Sequence, residues 1–357
     1  VSQESPILIN ASGKGTEALR KAAHGPQALG FLFLIAMATR ATDIHIEPKK
    51  DDFTVRMRVD GRMVWVCDLP RKVGDLVGGM VKAACEMGQA ARDAIQEGHF
   101  SARFEDRRVE FRVSFTPSLN GQKLVIRVLD QMSAPSSLSE LGLLEYMQRP
   151  VQRVCRQDHG LLLVSGPTGS GKTTTLYNCL REIDREARNV ITIEDPVEYQ
   201  IDGVTQMPVN EMRGNSFGSM LRSVLRQDPD VILLGEVRDE DTARTAMQAA
   251  MTGHVVFSTI HAKDTITSIF RLLDLKVEPY LVANSLDVVL AQRLVRVVCP
   301  MCVRETRLTP GQSSRCGRFL KGRDEVPIAV GCRSCLRTGY QGRRAVFEMV
   351  EMTDELR

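Results

Sequence analysis

The 357-residue chain is poor in aromatic residues, at 5% with one tryptophan, Trp65, and it has no long apolar stretch. Its longest hydrophobic run, Ala28 to Ala38, covers 11 residues, well short of the roughly 20 that a membrane-spanning helix requires. No secretory leader is visible, since polar Ser2-Gln3-Glu4 follows Val1. A chain that opens on Val1 is expected to be an excised fragment. Charge imbalance is also slight: 47 basic against 44 acidic residues give +3, which defines no partner. Nine cysteines are an odd number, four of them in two C-x-x-C pairs. That pattern excludes a paired disulfide framework and predicts a soluble, cytosolic protein with a metal site.

The remaining composition, 43% hydrophobic and 25% charged, is that of a globular protein and excludes disorder, collagen and coiled coil. The length is nearly twice the ~100–200 residues of a typical domain, so two domains and an appendage are expected. Charge is unevenly placed: Arg293 to the end carries 13 basic and 7 acidic residues.

Residues 1–25 read as a segment with weak signals, a short Ile7-Leu8-Ile9 run and a turn at Gly13-Lys14-Gly15-Thr16. Residues 28–40 read as a buried helix. Alternating apolar positions then mark strands: Ile44, Ile46; Val55, Met57, Val59; Val109, Phe111, Val113, Phe115; Leu124, Ile126, Val128. Asp60-Gly61 and Asn120-Gly121 are expected as hairpin turns. An α+β domain over 26–132 follows, then a linker over 133–145 that continues the Ser-rich stretch from Gln131. Beyond it, Leu161–Val164, Val190–Ile193, Val231–Leu234 and Val255–Phe257 are continuous apolar runs separated by helical stretches. Such runs suit parallel strands buried on both faces, so 146–298 reads as α/β. Each run ends in polar groups, where ligands of open α/β sheets bind.

The first run leads into Gly166-Pro167-Thr168-Gly169-Ser170-Gly171-Lys172-Thr173-Thr174 and then a helix, a G-x-x-x-x-G-K-T phosphate loop in strand–loop–helix context. Glycines let backbone N–H groups curl round a phosphate, and the helix dipole adds positive charge. Lys172 is expected on the β- and γ-phosphates of ATP, or the β-phosphate of ADP, and the Thr173 hydroxyl on Mg²⁺. After the third run, Glu236 would complete the Mg²⁺ shell or polarise water. The second run ends in Glu194, Asp195 and Glu198, candidate bases beside a phosphate loop. From the fourth, His261 is a candidate γ-phosphate sensor, and His254 is as readily a packing residue as a nucleotide contact. Arg222 and Arg226 are spaced to share a helix face, Arg238 follows the Glu236 strand, and Arg112 and Arg127 lie within first-domain strands. Guanidinium groups stabilise the charge that phosphoryl transfer spreads, although any one surface arginine can be merely an ion-pair partner.

Cys299-Pro-Met-Cys302 and Cys332-Arg-Ser-Cys335 are separated by 29 residues. Two such turns supply a closed four-thiolate Zn²⁺ site, structural rather than catalytic. Residues 299–335 are therefore expected as a metal-binding subdomain, with Cys316 spare and Cys67, Cys85, Cys155 and Cys179 buried thiols.

Over 26–357 the sequence resembles the type II secretion and type IV pilus assembly ATPases. The resemblance rests on Ala41-Thr-Asp-Ile-His-Ile-Glu-Pro48, the phosphate loop, Ile193–Glu198, Leu225-Arg-Gln-Asp-Pro-Asp230 and Gly235-Glu-Val-Arg-Asp239. Thr252-Gly-His through His261, Gln292-Arg-Leu and both cysteine pairs complete it. It implies a RecA-like P-loop ATPase domain preceded by a smaller, PAS-like α+β domain, with a zinc-binding tetracysteine insertion. It also implies a homo-hexameric ring with ATP between the domains, reached by Arg112 and Arg127. Arg222 and Arg226 would act at a boundary, and Glu198 is the preferred base beside Glu236. Domain rotation would drive an inner-membrane platform protein, placing the chain in the cytoplasm at the bacterial inner membrane. Residues 336–357 would begin a truncated helical part, with Thr353-Asp354-Glu355 a capped first turn. Where the family has Pro-Gln-Asp-Gly-Arg, this chain has Ile95-Gln-Glu-Gly-His99.

Two rival classes stand beside the motor. A nucleic-acid translocase would need aromatic stacking platforms on a positive groove. The basic tail holds only Phe319, Tyr340 and Phe347, so no nucleic acid is expected. A non-hydrolysing scaffold would need a defect that Lys172, Thr173, Glu236 and Glu198 do not show.

Overall fold

The computed structural model describes residues 6–9, 11, 15–16, 25–88, 93–105, 107–130, 135–320 and 322–357. The Gly13-Lys14 half of the expected turn and residues 131–134 at the expected linker lie outside them. The chain forms two units, Val1–Ser133 with Arg296–Arg343, and Ala134–Val295 with Arg344–Arg357.

The first unit is built on an eight-stranded sheet of β1 (Ile7–Ile9), β2 (Gly15–Thr16), β3 (Ala41–Pro48), β4 (Asp52–Val59), β5 (Arg62–Pro70), β6 (Gln96–Arg103), β7 (Arg108–Ser118) and β8 (Gly121–Leu129). Their order is β2-β1-β6-β7-β8-β3-β4-β5, with antiparallel pairs throughout. The alternation read from the sequence is realised: Val109, Phe111, Val113, Phe115, Leu124 and Ile126 face the core. Helices α1 (Gly25–Thr39) and α2 (Arg71–Ala84) close that face. From α1, Phe33 stacks on Phe111 at 4.7 Å between ring centroids, and Phe111 stacks on Phe100 at 5.0 Å. The β7–β8 hairpin turns one residue earlier than expected. Ser118 pairs with Gly121, so Leu119-Asn120 form the loop and Gly121, at φ +125°, starts the strand.

The second unit is an α/β sandwich. Strands β9 (Gly160–Ser165), β10 (Val190–Glu194), β11 (Thr205–Pro208), β12 (Val231–Leu234), β13 (Val255–Ile260) and β14 (Leu286–Val298) run parallel. With β17 (Tyr340–Glu351) they form a sheet in the order β11-β10-β12-β13-β9-β14-β17. Alternate residues of each central strand enter opposite cores, which is why the runs are apolar apart from Thr192. Leu161, Leu163, Ile193 and Leu234 pack with α5 (Phe217–Val224) and α6 (Glu240–Met251), and with α7 (Thr265–Asp274) and α8 (Pro279–Ser285). Leu162, Val164, Val190 and Leu233 pack instead with α3 (Glu145–Arg156) and α4 (Lys172–Arg181).

Residues 296–343 pack with the first unit. They contain the β15 (Arg304–Arg307) and β16 (Glu325–Ile328) pair and the exposed helix α9 (Pro310–Leu320). Leu336 packs on the first core, and the Gly342 N–H donates to Asp60 Oδ2 at 2.9 Å. Expected to open a helical part, Tyr340–Glu351 instead form strand β17. Its run of alternating residues finds a sheet edge to pair with, and hydrogen bonding to an edge outweighs weak local preference. Residues 353–357 form a turn in which Leu356 and Arg357 N–H donate to the Thr353 carbonyl. Among the described residues no helix is long and apolar enough to cross a membrane.

Candidate nucleotide site and metal centre

The loop after β9 has the shape the glycines allow. Gly166, Gly169 and Gly171 take φ of +149°, +77° and +89°, a region costly for residues with a Cβ. Gly171 is the N-cap of α4, so the helix's unpaired N–H groups face the loop. Lys172 donates from Nζ to the Gly166 carbonyl at 2.9 Å and the Pro167 carbonyl at 3.3 Å. Burial lowers its pKa, and the Glu236 charge partly opposes that. Thr168 and Thr173 are exposed and Thr174 is half-buried, whereas Ser170 is buried with an unpartnered Oγ.

Facing the loop are residues that leave the carboxyl ends of neighbouring strands. Glu236, two positions after β12, pairs with Arg238, and its other oxygen lies 3.5 Å from His261 Nε2 just after β13. Arg238 also reaches Asp195, just after β10, at 3.7 Å, and lies over the Phe217 ring. The backbone around Glu236 is locked: Ser258 Oγ donates to the Leu234 carbonyl and Thr259 Oγ1 to the Gly235 carbonyl, both at 2.8 Å. Lys172, Glu236, Arg238, Asp195 and His261 are thus brought together from four adjacent strands.

Other expected residues lie elsewhere. Glu194 is buried and accepts from Tyr177 Oη, Thr192 Oγ1 and, at 3.1 Å, Gln206 Nε2. Side chains alternate along a strand, so Glu194 turns inward while Asp195 turns toward Arg238. Glu198 is half-buried, and its backbone N–H points to Tyr177 Oη at 3.4 Å. His254 sits at the opposite end of β13, where Nδ1 meets the Ala249 carbonyl at 3.0 Å; it is a loop-closing residue, away from the phosphate loop. Arg222 pairs with Asp241. Arg226 lies beyond the end of α5 and donates to the Arg222 carbonyl at 2.8 Å, so the two share no helix face.

In the first unit, Arg112 on β7 stands opposite Arg127 on β8. Both line a depression of about 600 Å³ with His99, Glu97 and Asp43, and Arg127 Nε lies 3.2 Å from Asp43 Oδ1.

Cys299, Cys302, Cys332 and Cys335 place their four Sγ atoms within 4.8 Å of one another. The Cys332–Cys335 and Cys302–Cys335 separations are 3.7 and 3.9 Å. Tetrahedral zinc with Zn–S of about 2.3 Å requires about 3.8 Å between sulfurs. Backbone N–H groups support the sulfurs: Cys332 and Gly339 donate to Cys335 Sγ at 3.2 and 3.3 Å, and Gly331 donates to Cys302 Sγ at 3.3 Å. The donor set fits zinc. Burial opposes ionisation of Cys335, but these N–H groups and the neighbouring thiols bring its pKa down to about 6.

Sequence reading missed Gln292, Tyr177, Gln206, Ser258 and Thr259, which hold this geometry. Of these, Gln292, Ser258 and Thr259 stood in quoted motifs, without a role.

A parallel sheet with a phosphate loop and a carboxylate at the end of the next strand but one defines a P-loop ATPase fold. A family described as "Type II/IV secretion system protein" matches residues 28–357, and the chain belongs to that family. It is 40% identical over 322 residues to type II secretion system protein E of Pseudomonas aeruginosa, covering 90% of this chain and 64% of the relative. It is 39% identical over 325 residues to the type II secretion system ATPase E of Vibrio cholerae, with 90% and 64% covered. The chain thus spans under two thirds of the length of these relatives. Among solved structures, the Legionella pneumophila ATPase DotB matches with a TM-score of 0.68 at 21% identity, covering 94% of this chain and 83% of DotB. The pilus retraction motor PilT, solved with ADP, matches with 0.56 at 28%, covering 74% and 78%.

Proposed function

We propose that the chain is the ATP-hydrolysing part of a motor that powers pseudopilus or pilus assembly for protein secretion. The observation that carries this is the convergence of Lys172, Glu236, Arg238 and His261 at one end of the parallel sheet. Lys172 and the N–H groups of the loop bind and orient the phosphates of ATP. Thr173 and Glu236 would hold Mg²⁺, which neutralises phosphate charge when bound. Glu236, paired with Arg238 and close to His261, would otherwise orient the attacking water, and the water's proton goes to Glu198, the base preferred from the sequence, or to Glu236 itself. Arg238, beside Glu236 and Asp195, is the guanidinium proposed to stabilise the charge that develops on the phosphates.

Membership in the family supports the rest of the proposal. Arg112 and Arg127 reach the phosphates from the first unit, with Arg222 and Arg226 acting at a subunit boundary of a hexameric ring. Rotation of the units upon turnover moves an inner-membrane platform protein, with the motor peripheral at the cytoplasmic side of the inner membrane. Zinc on the four cysteines is structural, because all four positions are filled by protein thiolates. The named relatives in Pseudomonas and Vibrio, both secretion proteins, support the secretion apparatus over a retraction motor.

Phosphate release per chain, measured as protein concentration rises with Mg-ATP saturating, tests the reading. Activity per chain that climbs with concentration is expected, because neighbouring subunits complete each other's sites. Absence of phosphate release at every concentration would refute the ATPase assignment.

A further inference from the structure

The two glycines that bound the phosphate loop share a neighbour 122 residues from Ser170 in the chain. On β14, Ala291 pairs with Ser165, the last residue before the loop, so Gln292 follows directly beneath it. Gln292 is 2% exposed. Its Nε2 donates to the Ser170 carbonyl and its Oε1 accepts from Thr175 Oγ1, both at 2.7 Å. A Cβ on Gly171 would lie 2.8 Å from Gln292 Nε2, and one on Gly166 would lie 2.5 Å from the Gln292 carbonyl oxygen. A loop that turns its N–H groups toward an anion must turn carbonyls away from it, and a buried carbonyl needs a donor. The Gln292 amide supplies that donor at Ser170 and ties it to the first turn of α4 through Thr175.

We infer that Gln292 is a positioning residue of the nucleotide site, whose side-chain amide holds the phosphate loop in its anion-accepting shape. The inference rests on the proposal that this loop binds nucleotide. It also explains why both ends of the loop are glycine: each must pass against Gln292 as well as adopt a positive φ.

The test is equilibrium binding of a fluorescent N-methylanthraniloyl-ADP, with Mg²⁺, to the full chain from about pH 9 to about pH 5.5. Gln292→Glu keeps the acceptor for Thr175 but turns an oxygen without a proton toward the Ser170 carbonyl. Its affinity is expected to fall about tenfold at the alkaline end, the worth of one buried hydrogen bond. Burial raises a carboxyl pKa, and the protonated acid regains an O–H donor, so its affinity should return to within about threefold of wild type as pH falls. Gln292→Leu has no such proton and should remain weak throughout. Thr175→Val, which removes one anchor and leaves the fold's packing intact, should weaken binding about threefold and serves if the Gln292 variants do not fold. Equal loss in the Glu and Leu variants at every pH would make Gln292 a packing residue and overturn the inference, as would wild-type affinity in Gln292→Glu. Lys172→Ala separates the two levels. If it binds like wild type, the loop is not the nucleotide site; if it fails to bind while Gln292→Glu matches wild type, only the role of Gln292 is lost.

Discussion

Replacing Lys172 by alanine reads the site most directly. Its ammonium is half-buried and, among the described residues, bonds to the carbonyls of Gly166 and Pro167. Each such bond, from a charged donor to a neutral acceptor, is worth about 1.5–2 kcal/mol, whereas one between two charged groups is worth up to about 3 kcal/mol. Exchanging two carbonyls for two phosphate oxygens therefore gains about 2–3 kcal/mol, so Lys172→Ala should weaken ADP binding about 30- to 150-fold. Wild type at a thousandfold excess over Kd is stabilised by about 4 kcal/mol. At about 2–4 °C per kcal/mol for a unit of this size, that raises Tm by about 8–16 °C. At the same ligand concentration the variant retains about 1–2 kcal/mol, a rise of about 2–8 °C. Differential scanning calorimetry with and without Mg-ADP measures both shifts. An equal nucleotide-induced shift in the variant would show that Lys172 is not on the phosphates and would refute the reasoning.

Three more outcomes follow from the geometry. Glu236→Gln keeps shape and loses a proton acceptor, so ADP affinity should persist while phosphate release falls by about 10²–10⁴; a variant that still hydrolyses moves the base to Glu198. Cys335→Ser should lose zinc by elemental analysis and lower the melting temperature of the first unit, because three ligands and a hydroxyl hold the ion poorly; a wild type without metal and equally stable would refute the structural role. Glu47 is held down to about 2 by hydrogen bonds from Arg56, with burial opposing and Lys123 at 3.1 Å assisting. Its folded pKa lies below its unfolded one, so this stability is present above about pH 4.5 and lost as pH falls toward 2. With Arg56 40% exposed, Glu47→Gln should cost about 1–2 kcal/mol at pH 7. In urea unfolding that deficit should shrink near pH 3, and a constant deficit would exclude the ion pair as its source.

Features whose chemistry is local were legible in the chain itself. The phosphate loop lies between its own strand and helix, the cysteine pairs present thiolates from their own turns, and the four runs, apolar save for Thr192, are buried on both faces. Glu236 and His261 were found because each comes within a few residues of the end of such a run. Positions that depend on direction or on a distant partner were not legible. Glu194 and Asp195 are adjacent, yet one turns into a buried network with Tyr177 and the other toward Arg238, since side chains alternate across a sheet. His254 and His261 flank one strand, and which end meets the phosphate loop depends on β13 running parallel beside β9. Tyr340–Glu351 became a strand through the sheet it joined, not through local propensity.

The sequence by itself determined the class of fold, the phosphate loop, the thiolate donors and the family, because these are written in contiguous motifs and short periodicities. Tertiary structure alone decided which carboxylates and arginines meet the loop, and that Gln292 braces it from across 122 residues. The physical reason is that sheet order and register bring together groups far apart in the chain, and hydrogen bonds only a few ångströms long then select among side chains of the same chemical type.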